Sequence, residues 1–390
     1  MKYNFDEIID RSGTNCIKTD KLNTVFGRSD LTPLWVADMD FLSPPAVTEA
    51  LAKRTEHGVF GYTMDNASYY NSIIGWLDRR HDYKVEKEEL TFVPGVVKGF
   101  AFAIDTFTQE KDNIIIQPPV YHPFKLVTEA MNRTIINNPL ILENGEYSMD
   151  FEGLKSIIAE QECKMLIFCS PHNPVGRVWK KEELEELAKI CYDNNILVIS
   201  DEIHADFTFN GHKHLPFATV SEKARENSIT LMAPSKTFNI AGIVSSFAIT
   251  HNKQIREKFM NYLTSRELNQ GTLYAYTATE AAYNHGEEWL DQVTDYVQKN
   301  MEFVTDYLKD NIPQIKPIEM ESTFLMWLDC RGLGLSHNKV VELFVNKAKL
   351  ALNSGAMFGE EGKGFMRLNV GSPLSVLKKA MEDLKNAIEE

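Results

Sequence analysis

The sequence predicts an α/β fold, a mainly parallel sheet covered by helices on both faces and joined to a smaller α+β unit. Three observations carry the prediction. Short unbroken apolar runs (LTFV at 90–93, NIII at 113–116, KMLIF at 164–168, ILVIS at 196–200, ITLM at 229–232) read as strands buried on both sides, the mark of a parallel sheet. Amphipathic stretches of helical period separate most of them. From about Trp289 the rhythm changes, and a long helical stripe is followed by isolated strand-like pieces.

In chain order, the segment to about Asp40 has little helical period and carries short apolar pieces such as LWVADMDF (34–41). A helix is expected after Pro44-Pro45, with Val47, Ala50 and Leu51 on one face, and an amphipathic stretch runs from Tyr69 to Asp82. LTFVPG is a strand ending in a turn, and the apolar helix VVKGFAFAIDTF follows directly. NIIIQPPVYHPF is strand then loop, with a helix continuing to about Met131. MDFEGLKSIIAE is a helix with Asp150 as its N-cap. KMLIFCSPHNPVG runs from strand into a Pro/Gly loop, KKEELEELAKICYDNN is a strongly periodic helix, and ILVISDEIH is the next strand. Right-handed crossovers place the strand-to-helix loops of such a sheet along one edge. One junction breaks the pattern. About ten residues separate the strand ending near Ala233 from IVSSFAIT, too few for a parallel crossover, so this pair is expected to be antiparallel. Trp289, Val293, Val297, Val304 and Leu308 then mark one face of a long helix. STFLMWLDC, a helix capped near Ser336, MRLNVG and a helix from Ser375 complete the smaller unit. Residues 1–55 are expected to belong with that smaller domain, 56–286 to form the large one and 287–390 the small C-terminal one.

The 43% hydrophobic and 25% charged composition is that of a globular protein, and the net charge of −14 argues against a nucleic-acid surface. No apolar run is long enough to span a membrane, and MKYNFDEIID resembles no signal peptide. Five scattered cysteines without a CxxC fit free thiols in a reducing, cytoplasmic setting. His212 and His214 form an HxH, but without an accompanying carboxylate–histidine helix motif two loop histidines are the plainer reading, and no metal is expected.

Ligands of open α/β sheets sit beyond the carboxyl ends of the strands. Lys236 follows ITLM, Asp201 follows ILVIS, Asn173 follows MLIFCSPH and Tyr121 follows NIIIQPPV. Pro94-Gly95-Val96-Val97 is a glycine turn opening a helix, where free N–H groups and the helix dipole favour a phosphate. A lysine at the mouth of a buried strand is costly unless solvated, paired or covalently modified. Singly, each residue has a dull alternative: Lys236 a surface lysine, Asp201 a helix cap, Asn173 a turn former, Tyr121 a core ring. Jointly they make chemical sense as a site for pyridoxal 5′-phosphate (PLP). Lys236 would hold its aldehyde as a Schiff base, Asp201 would face the pyridinium nitrogen, Asn173 would donate to the phenolic oxygen and Tyr121 would lie on the ring.

NPVG (173–176), SDEIH (200–204) and Ser235-Lys236 with Gly242 resemble the aminotransferase class I/II family of PLP enzymes, fold type I. LWVADMDF, GYT at Gly61, PGVV, PPVYHPF, SPHNPVGRVW, SDEIHADF, APSKTFNIAG and MRLNVG resemble, in order, its bacterial C–S lyase or cystathionine β-lyase branch, related to the maltose-regulon modulator. The resemblance implies a mainly parallel seven-stranded sheet in the large domain. It also implies Lys236 as Schiff-base lysine and proton carrier, Gly95, Val96, Val97 and Ser235 around the phosphate, and Tyr62 reaching the phosphate of a neighbouring subunit in a homodimer. Arg367 would grip the substrate α-carboxylate, with Asn173 and Ala37 as further substrate contacts. His204 stands among the cofactor contacts where many relatives have tyrosine, and whether Tyr62, Tyr121 or His204 assists proton transfer is left open. Ala233 and Val244 occupy positions where the broader family carries a phosphate-binding serine and arginine. The reaction implied is β-elimination on an L-cysteine S-conjugate, L-cystathionine first among them, giving a thiol, pyruvate and ammonia. An aminotransferase, or a PLP-fold protein that modulates transcription through a regulatory protein partner, are the alternatives.

Overall fold

Seven of the apolar or half-apolar runs pair into one sheet. They are β1 (Leu90–Val93), β2 (Asn113–Ile116), β3 (Thr134–Asn137), β4 (Cys163–Cys169), β5 (Leu197–Asp201), β6 (Ser228–Met232) and β7 (Ser246–Ile249). In the computed structural model, which describes residues 3–389, their order is β1-β7-β6-β5-β4-β2-β3. Pairings from β6 through to β3 are parallel, while β7 runs antiparallel to both β6 and β1. The short β6–β7 connection thus has the consequence expected of it. The edge strand β3 carries no apolar run because its residues are exposed or half-buried, and neither it nor the hairpin of Ile141–Glu143 with Glu146–Ser148 was expected.

Both faces of the sheet are apolar because alternate residues of each inner strand point opposite ways. Met165, Ile167, Cys169 and Ile199 join one core cluster, while Leu166, Phe168 and Val198 join another. Helix α1 (Pro45–Glu56) follows the Pro44-Pro45 pair, and α2 (Ala67–His81) has Asn66 as N-cap. Helix α3 (Val96–Phe107) crosses β1, β7, β6, β5 and β4, burying Val96, Phe100, Ala103 and Ile104 at helical spacing. Helix α4 is Pro123–Ala130, and α5 (Phe151–Glu160) starts at Asp150, whose carboxylate accepts the Gly153 N–H as expected of a cap. Helix α6 (Lys181–Asp193) covers the opposite face with Leu184, Leu187 and Cys191.

Past α7 (Lys253–Thr264) and α8 (Leu273–His285), the long α9 (Glu287–Asn311) buries all five apolar residues expected on its face. A four-stranded antiparallel sheet follows, made of β8 (Lys316–Pro317), β9 (Leu325–Asp329), β10 (Asn353–Ser354) and β11 (Phe365–Asn369) in the order β8-β9-β11-β10. Helix α10 (Leu374–Glu389) packs against α9. The N-terminal stretch is tied to this smaller sheet. Thr32–Pro33 pairs with Leu350–Ala351, and Asn369 donates to the carbonyls of Val36 and Asp38 at 2.6 and 2.7 Å. Among the described residues no helix is long and apolar enough to cross a membrane.

Candidate active site

The parallel register brings the strand ends level, with Cys169 opposite Asp201 and Asp201 opposite Leu231. Asp201 is buried where β5 runs out, and its Oδ1 accepts the Ile203 N–H at 3.1 Å. Burial, with Glu202 adding to it, pushes this carboxyl up to about 7 against the opposing effects of the Ile203 N–H and Lys236. An acid so placed calls for a cation beside it.

Lys236 follows β6 in a single helical turn, Pro234–Thr237. Proline at its first position supplies the helical φ without needing an N–H partner. The Lys236 amine lines the cavity and donates to the Ala37 carbonyl. Burial lowers it to about 8, against the pull of Asp38 and Asp201, with Arg367 adding to the lowering. Beneath it, Thr237 Oγ1 donates to Asp206 Oδ2 at 2.6 Å, and Asp206 Oδ1 also meets Trp76 Nε1 at 3.1 Å and His81 Nε2 at 2.9 Å. The Asn239 side chain binds the backbone of Met39 and Phe41, so the lysine turn and the 37–41 segment are locked together.

A cavity of about 370 Å³ opens over these groups. Of the residues singled out from sequence, Ala37, Gly95, Val96, Val97, Tyr121, Asn173, Asp201, His204, Ser235 and Lys236 all line it. Gly95 has φ of +108°, a conformation suited to glycine, and its N–H is taken by Ser246 Oγ at 2.9 Å as α3 begins. Gly176, which ends the NPVG turn, also adopts a positive φ, +73°, that favours glycine. Asn173 is held by its N–H to Cys169 Sγ at 3.3 Å and by Arg367 Nη1 to its Oδ1 at 3.0 Å, which leaves its amide N–H groups for the cavity. Burial and Asp201 push the Tyr121 phenol up to about 12. His204 is buried and kept neutral, lowered to about 3 by burial, Lys236 and Arg367, and its Nδ1 has no partner.

Arg367 stands on β11 behind Asn173. Its Nη2 donates to Asn353 Oδ1 at 2.6 Å and to the Trp35 carbonyl at 3.1 Å, Phe358 covers its face at 4.8 Å, and its Nε is buried without a partner. Tyr62 is not brought to the cavity at all. It is fully exposed on an irregular stretch with Val59, Phe60 and Met64, which are also exposed. Lys98 and Ser245 line the cavity near Gly95 and Val244 and were missed. Lys98 lies one helical turn beyond the glycine turn, a signal that spacing could have supplied; Ser245 shows none. Val244 adopts φ +58°, unusual for a β-branched residue. The HxH pair diverges: His214 Nε2 meets Glu202 Oε2 at 2.7 Å, whereas His212 lies 3.9 Å from Glu321. Among the described residues no cluster suits a metal ion.

Residues 29–384 match the family model Aminotransferase class I and II. Cystathionine beta-lyase PatB of Bacillus subtilis (strain 168) is 41% identical over 385 residues, which cover 99% of this chain and 100% of PatB. The crystal structure of cystalysin from Treponema denticola, which contains a pyridoxal 5′-phosphate cofactor, superposes with a TM-score of 0.96 at 36% identity, covering 100% of this chain and 99% of cystalysin. The PLP-bound C-S lyase from Staphylococcus hominis gives a TM-score of 0.94 at 32% identity, with coverage of 100% and 99%.

Proposed function

Because the chain belongs to the aminotransferase class I and II family, we propose that it is a PLP-dependent carbon–sulfur β-lyase acting on L-cystathionine or related L-cysteine S-conjugates. The observation that carries the reading is one cavity shared by the lowered amine of Lys236 and the buried, raised acid of Asp201. The donor set fits the cofactor. A cationic ring nitrogen would satisfy Asp201, the opening turn of α3 with Ser235 would receive a phosphate, and Tyr121 offers a ring face.

PLP, when bound, supplies an aldehyde that condenses with amines and a ring that accepts the electron pair released at the substrate α-carbon. Lys236 supplies the first amine. As a free amine its Nζ would be the base for the substrate α-proton, a role its lowered affinity for protons suits. Asp201 would hold a proton on the ring nitrogen. Asn173 orients the ring, and the Arg367 fork, stiffened by Asn353 and Phe358, receives the α-carboxylate. The balance is an S-conjugate plus water giving thiol, pyruvate and ammonia, with the β-carbon–sulfur electron pair leaving on sulfur.

Mixing the holoenzyme with L-cystathionine and no keto acid tests this. Steady pyruvate release is expected, and a single stalled turnover would favour transamination instead. We also read the protein as a homodimer in which Tyr62 serves the other subunit's phosphate, a reading supported by the exposed apolar stretch that carries it. A fully active monomer would refute that. The five unpaired cysteines fit a cytosolic enzyme.

A further inference from the structure

Next to the lysine cavity lies a second one of about 480 Å³, and Tyr121 is a wall of both. Its inner wall is His122 and Phe358, whose rings are 6.1 Å apart. Phe358 is also the ring that covers Arg367, and the Val120 N–H donates to the Phe358 carbonyl at 2.8 Å, closing the floor. A substrate held between Arg367 and Tyr121 therefore lies one side chain from this space.

The chemistry of the walls changes outward. Near Tyr121 they are apolar or aromatic; the charged lining residues are Lys125 and Glu129 on α4, Glu361, and Glu360, which Lys363 already pairs. The Lys125 and Glu129 charges are 3.9 Å apart and about half exposed, too loose a pair to saturate each other. On the inner wall, His122 Nδ1 is buried with no hydrogen-bond partner, a cost that a ligand donor could relieve. Burial and Arg367 keep that ring neutral, lowered to about 4.

We propose that this second cavity receives the departing thiol, and that it is built for a leaving group with an apolar stem and a zwitterionic end. The homocysteine half of L-cystathionine has that form: two methylenes, then an ammonium for Glu129 and a carboxylate for Lys125. The inference rests on the β-lyase reading above and adds to it which conjugates the site prefers.

The test compares kcat/KM of the holoenzyme for L-cystathionine and for S-methyl-L-cysteine, whose leaving group carries no charge, by pyruvate release. Lys125→Glu and Glu129→Lys alter exposed helix positions that folding tolerates. Each is expected to lower the cystathionine to S-methylcysteine ratio about three- to fivefold, the size of one exposed ion pair. General damage would lower both substrates together and leave the ratio alone. An unchanged ratio in both variants overturns the subsite. Wild-type enzyme that releases pyruvate from neither substrate overturns the lyase reading, and the subsite with it.

Discussion

If the Lys236 amine captures the cofactor aldehyde, the rate of capture by the apoenzyme must follow the fraction of that amine that is neutral. An ordinary lysine titrates at 10.5, whereas burial brings this one to about 8. At pH 7 roughly a tenth of the amine is then neutral, about 300 times more than an ordinary lysine would offer. The perturbation is pH itself. Apoenzyme mixed with PLP in a stopped-flow instrument should develop its visible absorbance about tenfold faster per pH unit below 8 and level off above it. Asp38→Asn removes a carboxylate that holds the amine's proton, so the plateau should begin at lower pH. The reasoning fails if the rate climbs without a break to pH 10, or if Asp38→Asn moves the plateau upward.

Two predictions concern the scaffold beneath that amine. Asp206→Asn keeps the shape but breaks a buried pair with His81 and misplaces a donor against Trp76 and Thr237; it should cost about 3–5 kcal/mol in urea unfolding. Burial alone would raise the Asp206 carboxyl, but the His81 and Thr237 contacts carry it below its usual value. Its contribution is therefore complete above the unfolded value near 3.9 and lost as pH falls through the folded one, so the gap between wild type and variant should narrow below about pH 4. Arg11→Ala frees Asp38 and Asp40, which Arg11 binds at 2.6 and 2.7 Å and which Lys18 also faces. A loss of about 1–3 kcal/mol is expected by the same measurement.

How far the site was legible depended on how local its signals are. Asp201, Asn173, Tyr121 and Lys236 each stand within a few residues of the end of an apolar run, and a parallel sheet carries all such run ends to one edge; their meeting was readable from the sequence. The edge strand β3 was not, because half-exposed residues lack the apolar run that marks a buried strand. Nor does spacing reveal Ser245, which reaches the cavity only because the chain turns at Val244 with a positive φ.

Composition, periodicity and turn chemistry determined by themselves that this is an α/β protein with an antiparallel excursion after the lysine strand, since those features act over a few residues. Tertiary structure alone decided that the Ala37 carbonyl meets an amine 199 residues away. It also decided that Arg367 sits behind Asn173, that the HxH histidines point to different carboxylates, and that Tyr62 lies exposed outside its own chain's cavity. Each of these depends on how separate elements pack, and no local pattern encodes the distance between residues that only packing brings together.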